Sequence, residues 1–146
     1  MITVLRTKNI HTSEIVFQSN TTLEESLQLI WKSIHEQVNG IQAIGISSNI
    51  GFPISCFSTS SETNEDICAA QISSILSLTS RLSEEFESLE NYENSIFTYK
   101  QGYIVTYLIN PEIILFCIAK SKKEHLGLLN YLLTKCISKI QDILKQ

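Results

Sequence analysis

The chain is short of charge. Only 18% of its 146 residues are Asp, Glu, Lys or Arg, against about 25% in an average soluble domain. Its 11 basic and 15 acidic residues leave a net charge of −4. That balance offers no concentrated excess of Lys and Arg for phosphate contact, so nucleic acid is excluded as a partner. Long apolar runs are missing too, and none approaches the roughly 20 residues that span a bilayer. The opening Met1-Ile-Thr-Val-Leu-Arg-Thr-Lys lacks the apolar core of a signal peptide, so a cytoplasmic chain without membrane insertion is expected. Low-complexity tracts and internal repeats are absent. The four cysteines, Cys56, Cys68, Cys117 and Cys136, form no CxxC and no Cys/His cluster. All fall in apolar periodic segments, which reads as buried, reduced thiols and neither disulfides nor metal ligands.

What is present suits one domain. A chain of 146 residues buries about 70% of its unfolded surface, enough for a core without staples. Apolar content is ordinary at 43%, so surface normally charged is either carried by Ser, Thr and Asn or covered by something. Residues 1–21 read as an N-terminal arm or extension with two short apolar runs, and residues 22–146 as the folded domain. Asn20-Thr21-Thr22 matches a glycosylation sequon, but without a secretory signal it reads as a helix cap.

From Thr22 the pattern is legible. Leu23, Leu27, Ile30, Trp31, Ile34 and Val38 recur at helical spacing, with a Thr22/Glu25 capping box before them and Asn39-Gly40 after. Ile41–Ser48 and Phe52–Phe57, joined by Asn49-Ile50-Gly51, predict a hairpin, and Pro53 puts the second strand at a sheet edge. A second helix is predicted from a Thr63 cap, with Asp66 three residues on, to about Leu89. Three strands follow, Ser95–Tyr99, Tyr103–Ile109 and Ile113–Ala119, then a helix over Glu124–Leu144. The last two strands are apolar on both faces, as central strands are. The order αββαβββα predicts a mixed α/β (α+β) domain. Its five-stranded antiparallel sheet has order 2-1-5-4-3, with the second helix on one face and the first and third on the other.

The second helix carries more apolar surface than one sheet needs. Projected at about 100° per residue, Ile75, Leu78, Leu82 and Phe86 sit near the middle of a wide arc. Ala69, Ile72 and Leu76 extend one flank, and the opposite side holds Ala70, Ser73, Ser74 and Ser77. No charge falls from Ile67 through Ser80. A helix lying on one sheet uses a stripe only about 100° wide, so the surplus meets a second body. The other two helices are committed to the opposite face, which favours a protein partner over an intramolecular cover. The edge strand Asn94-Ser-Ile-Phe-Thr-Tyr-Lys100 agrees, because it lacks the charges, bulges or proline that guard an isolated edge. Either a second copy pairs with it or the N-terminal arm caps it.

Catalytic patterns are missing. No phosphate-binding GxxxxGK[ST] or GxGxxG occurs, and Gly45-Ile-Ser-Ser-Asn-Ile-Gly51 is followed by a strand and has no lysine. His35 and His125 have no metal-ligand neighbour at i+3 or i+4 and His11 has only Glu14, so no metal or cofactor is expected. Glu84, Glu85, Glu87, Glu90 and Glu93 read as a solvated face at a helix end, where they oppose the helix dipole and favour fraying. Cys56 and Cys68 lack a base at legible spacing. The expectation is a protein that is not an enzyme.

Several strings, in order, resemble the Roadblock/LC7 family of dynein light chains, bacterial polarity-GTPase regulators and lysosomal GTPase scaffolds. Val38-Asn-Gly-Ile-Gln-Ala-Ile-Gly-Ile-Ser-Ser is similar to the family's helix exit into its first strand, and Gly51-Phe-Pro-Ile-Ser to its Asp-Gly-Leu-Pro-Ile-Ala. Ala69-Ala70, Gln101-Gly-Tyr-Ile-Val and Lys123-Glu-His-Leu-Gly-Leu also match. The resemblance covers about Leu23 to Leu144. It departs at Asn49-Ile50, where Asp-x-Asp is common, and at residues 1–20, which the shortest members lack.

The resemblance implies a profilin-like fold and a non-catalytic scaffold or regulator. Such a protein dimerises, with itself or a paralogue, by joining third strands and packing second helices, and binds a Ras-like small GTPase. Carried over, the dimer face comprises Ala69, Ile72, Leu76 and Thr79 with Ile96, Phe97, Thr98 and Tyr99. Two alternatives compete: a PAS- or GAF-like small-molecule sensor, which needs an internal cavity of about 300 Å³ or more, and a longin-like trafficking adaptor, which begins with a hairpin.

Overall fold

A computed structural model describes residues 22–61, 63–120 and 125–145. The expected N-terminal arm and the expected start of the last helix at Glu124 lie outside the described residues. The first helix, α1, spans Leu23–Gln37, and the Thr22 hydroxyl caps it by accepting from the Glu25 N–H at 3.1 Å. Strands β1 (Ile41–Ser48) and β2 (Pro53–Ser58) form the expected hairpin, and Gly51 at its turn has φ +92°. Helix α2 spans Glu65–Glu85, then a 3-10 turn covers Glu87–Leu89. Strands β3 (Asn94–Tyr99), β4 (Gly102–Asn110) and β5 (Ile113–Ala119) follow, and helix α3 (Leu126–Leu144) closes the described chain.

Strand ends shift by one residue, and both boundaries of α2 differ from expectation. The cap of α2 is Asn64, whose side chain accepts from the Ile67 N–H at 3.1 Å, and not Thr63. Asn is the stronger N-cap of the two, and both spacings exist in the sequence. The helix also stops at Glu85, short of Leu89. Its last turn holds no base to complement the dipole, and carboxylates there repel it.

The five strands pair antiparallel in the order β2-β1-β5-β4-β3, as the αββαβββα reading requires. Alternation along each strand sends side chains to two cores. One face carries α1 and α3, where Leu27, Trp31, Leu129, Leu133 and Ile140 meet Ile44, Ile46 and Val105. Trp31 is wholly buried and its indole N–H donates to Ser55 Oγ at 2.9 Å, so the one polar edge of that ring is satisfied. The other face carries α2 on a smaller cluster of Ala43, Ile72, Leu76, Ile114 and Phe116. Gly45 of β1 leaves no room for a side chain against β2: a Cβ there would stand 2.2 Å from the Ser55 carbonyl oxygen and 2.8 Å from Cys56 Cα. Among the described residues no helix is long and apolar enough to cross a membrane.

Candidate interaction surface

Helix α2 packs on β1, β2 and β5. Its contact stripe is Ala69, Ile72 and Leu76, exposed by only 1%, 3% and 5%. This corrects the sequence reading, which assigned those three to a surface meeting a partner. They are the floor of the domain's own core, and Ile75 packs partly buried against it, while the rest of the arc's middle faces outward: Leu78, Leu82 and Phe86 are 59%, 46% and 54% exposed. Ile72 and Leu76 meet Ala43, Ile114 and Phe116 of the sheet, and the bulkier stripe is left over. Thr79 is half-buried, its hydroxyl donating to the Leu76 carbonyl at 2.8 Å. Ser73 and Ser74 both donate to the Ala70 carbonyl, at 2.8 and 3.1 Å, so that flank satisfies itself.

Strand β3 is the outer strand on one side of the sheet, as expected. Ile96, Phe97, Thr98 and Tyr99 are all exposed. Register opposite Ile104 puts Phe97, and with it Tyr99, on the α2 side of the sheet, while Ile96 and Thr98 lie on the other side. The strand is anchored to β4 by more than its ladder. Tyr92 donates to Ser95 Oγ at 2.9 Å and lies 2.5 Å from Thr106 Oγ1, and Ser95 also bonds Thr106. Each of these hydroxyls can donate once and accept once, a closed ring around a fully buried threonine. Among the described residues nothing pairs with the outer side of this edge.

The thiols hold no nucleophile. Burial pushes Cys56 up to about 12, with Glu65, Cys68 and Glu24 adding to the effect, and pushes Cys136 up to about 12 against small opposing effects of a backbone hydrogen bond and Lys139. Cys68 and Cys117 are raised by burial as well. Thiolate is the reactive form, and all four stay protonated at neutral pH. Among the described residues no three His, Cys, Asp or Glu side chains gather as a metal site. The glutamates Glu84, Glu85, Glu87, Glu90 and Glu93 are all exposed.

Sequence reasoning missed one surface, a furrow between α1 and α3 lined by Leu29, Leu132, Lys135 and Lys139. Leu29 lies off the periodic stripe of α1, and only the docking of two helices creates the furrow.

Comparison with solved structures places this architecture. A Roadblock/LC7 domain from Streptomyces avermitilis superposes with a TM-score of 0.72 at 15% identity, covering 82% of this chain and 98% of that one. MglB from Myxococcus xanthus gives 0.72 at 13%, covering 82% and 95%. A structure of MglB with a tetrameric arrangement gives 0.71 at 10%, covering 83% and 89%. At such identities the likeness is one of fold. No curated protein matches by sequence. The sequence model of the Roadblock/LC7 domain, however, matches residues 34–119, from the end of α1 through the last strand, and with more than half its length so matched the chain belongs to the Roadblock/LC7 family.

Proposed function

We propose that this domain is a non-catalytic, dimeric interaction module of the cytoplasm that scaffolds or regulates a Ras-like small GTPase. One observation carries the reading: on the α2 side of the sheet, the exposed Leu78, Leu82 and Phe86 accompany an open edge strand bearing Phe97 and Tyr99. A second copy, or a paralogous Roadblock protein, would continue the sheet through β3 and pack its own α2 alongside. The contact then comprises Ile96, Phe97, Thr98 and Tyr99 with Leu78, Leu82 and Phe86, and Thr79 at its margin. The paired helices form the face offered to the GTPase. Family membership and the tetrameric arrangement of one MglB support self-association, and four protonated thiols suit a reducing compartment.

Light scattering after size exclusion tests the pairing, with twice the 16.5 kDa chain mass expected. Phe97→Lys should dissociate it, because two copies would bring like charges together across the join. A stable monomer at micromolar concentration removes the dimer. For the partner, small GTPases of the source organism, loaded with GDP or a GTP analogue, are titrated against the dimer. Failure of every one to bind in either state removes the GTPase.

A further inference from the structure

Among the described residues, the face opposite α2 has an open surface of its own. Helices α1 and α3 lie against each other there, and the furrow between them holds a hollow of about 490 Å³. Ile34 and Cys136 form its buried floor, and Ile30 and Leu132 its half-buried walls. Leu29 stands on the α1 rim, 65% exposed. Both charged side chains lining it are lysines, Lys135 and Lys139, one helical turn apart on α3. This is a local positive rim on a chain of net charge −4. The Lys135 ammonium sits 5.1 Å from the centre of the exposed Tyr131 ring, which steadies it at the rim.

We propose that this groove docks an acidic amphipathic helix of a partner protein. Two parallel ridges of side chains with a furrow between them are the shape into which a third helix packs. The hollow accepts the apolar stripe of such a helix on Leu29, Ile30 and Leu132. Lysines spaced i, i+4 match carboxylates at the same spacing on the incoming helix. Ser33 and Gln37 on the facing rim are neutral and repel neither sign. The chain's own first 21 residues carry the opposite charge to the one this rim selects, since Arg6 and Lys8 outnumber Glu14 there. A lipid surface does not fit either, because a flat bilayer cannot reach a floor recessed between two helices. The groove lies on the face away from α2, so the inference stands or falls separately from the dimer.

The test uses the full chain and a fluorescein-labelled peptide of about 16 residues, roughly four helical turns, with leucines on one stripe and glutamates flanking it. A second peptide carries lysine in place of every glutamate. Fluorescence anisotropy should show the acidic peptide binding and the basic one failing, with binding weakened by added salt. Lys135→Glu with Lys139→Glu should lower affinity roughly tenfold or more, and Leu29→Asp should lower it as well, circular dichroism melts confirming that each variant folds. Phe97→Lys should bind the peptide like the unaltered chain. Equal binding of both peptides, no binding of the acidic one, or undiminished binding by the double lysine variant overturns the proposal. So does lysine-dependent sedimentation with phosphatidylserine vesicles, which makes a lipid the occupant. Assemblies larger than a dimer that the double variant dissolves overturn it too, by making a second copy the occupant.

Discussion

At Glu90 the backbone takes φ +61° and ψ −133°, and it is the one non-glycine residue at positive φ among those described. A side chain there is strained, at a cost of about 1–3 kcal/mol. The residue is exposed, and its N–H is held to the Glu87 carbonyl at 3.1 Å, closing the 3-10 turn. Glu90→Gly should therefore raise the unfolding free energy in urea by about 1 kcal/mol after the entropy that glycine loses on folding, and the midpoint with it. A lowered midpoint would mean that the side chain makes a contact outweighing the strain. Cys136 gives the second expectation at this scale. Its thiol is held up to about 12 from an ordinary 9.0, chiefly by burial. Below pH 9 both states keep the proton and the thiol adds no pH dependence. Above it the unfolded chain releases a proton that the folded chain retains, so stability falls as pH rises from about 9 towards 12. The loss from one such thiol is up to about 1.4 kcal/mol per pH unit. Urea midpoints of the unaltered chain and Cys136→Ala between pH 8 and 10 should converge as pH rises, since the variant lacks this loss.

Helix α2 marks the limit of what periodicity reveals. A stretch from Ile67 to Leu89 with an over-wide apolar arc was legible, and so was an unguarded third strand at the sheet's edge. Which part of the arc faces the sheet was not, because hydrophobicity ranks Leu82 and Leu76 alike. Fit decides it: Ile72 and Leu76 close onto Ala43, Ile114 and Phe116 of the sheet. The α1–α3 groove was illegible for a related reason, as Leu29 and Tyr131 sit off both stripes and gain meaning only once the helices dock. The two leucines of α2 now separate cleanly by experiment. Leu76→Ala empties a buried site and should cost about 2–5 kcal/mol in chemical denaturation. Leu82→Asp sits on the exposed flank and should leave the monomer's fold intact while weakening the dimer in light scattering. If Leu82→Asp also unfolds the chain, the flank is packed against the domain itself.

The sheet is the molecule's partition. Its α1–α3 face carries the larger core, with Trp31, Tyr103 and the aliphatic side chains at its centre buried and a shell of partly buried ones around them. Its α2 face carries a cluster of five buried residues and leaves Phe97, Tyr99 and the outer flank of the helix in water. A domain so divided would gain most from association on its thinner side, where the proposed pairing would extend a core of five buried residues. Coupling of folding to association has a thermodynamic signature. For a dimer that unfolds to separate chains, each tenfold rise in concentration stabilises the folded state by about 1.4 kcal/mol, which shifts the melting temperature by about 2–4 °C in a domain pair of this size. Melts recorded across a hundredfold range of protein concentration should show that rise for the unaltered chain. Phe97→Lys should melt at a lower temperature that no longer depends on concentration, because its unfolding is that of a lone copy. A concentration-independent melt of the unaltered chain would mean that the thin core stands alone, and that the flank of α2 meets some other body.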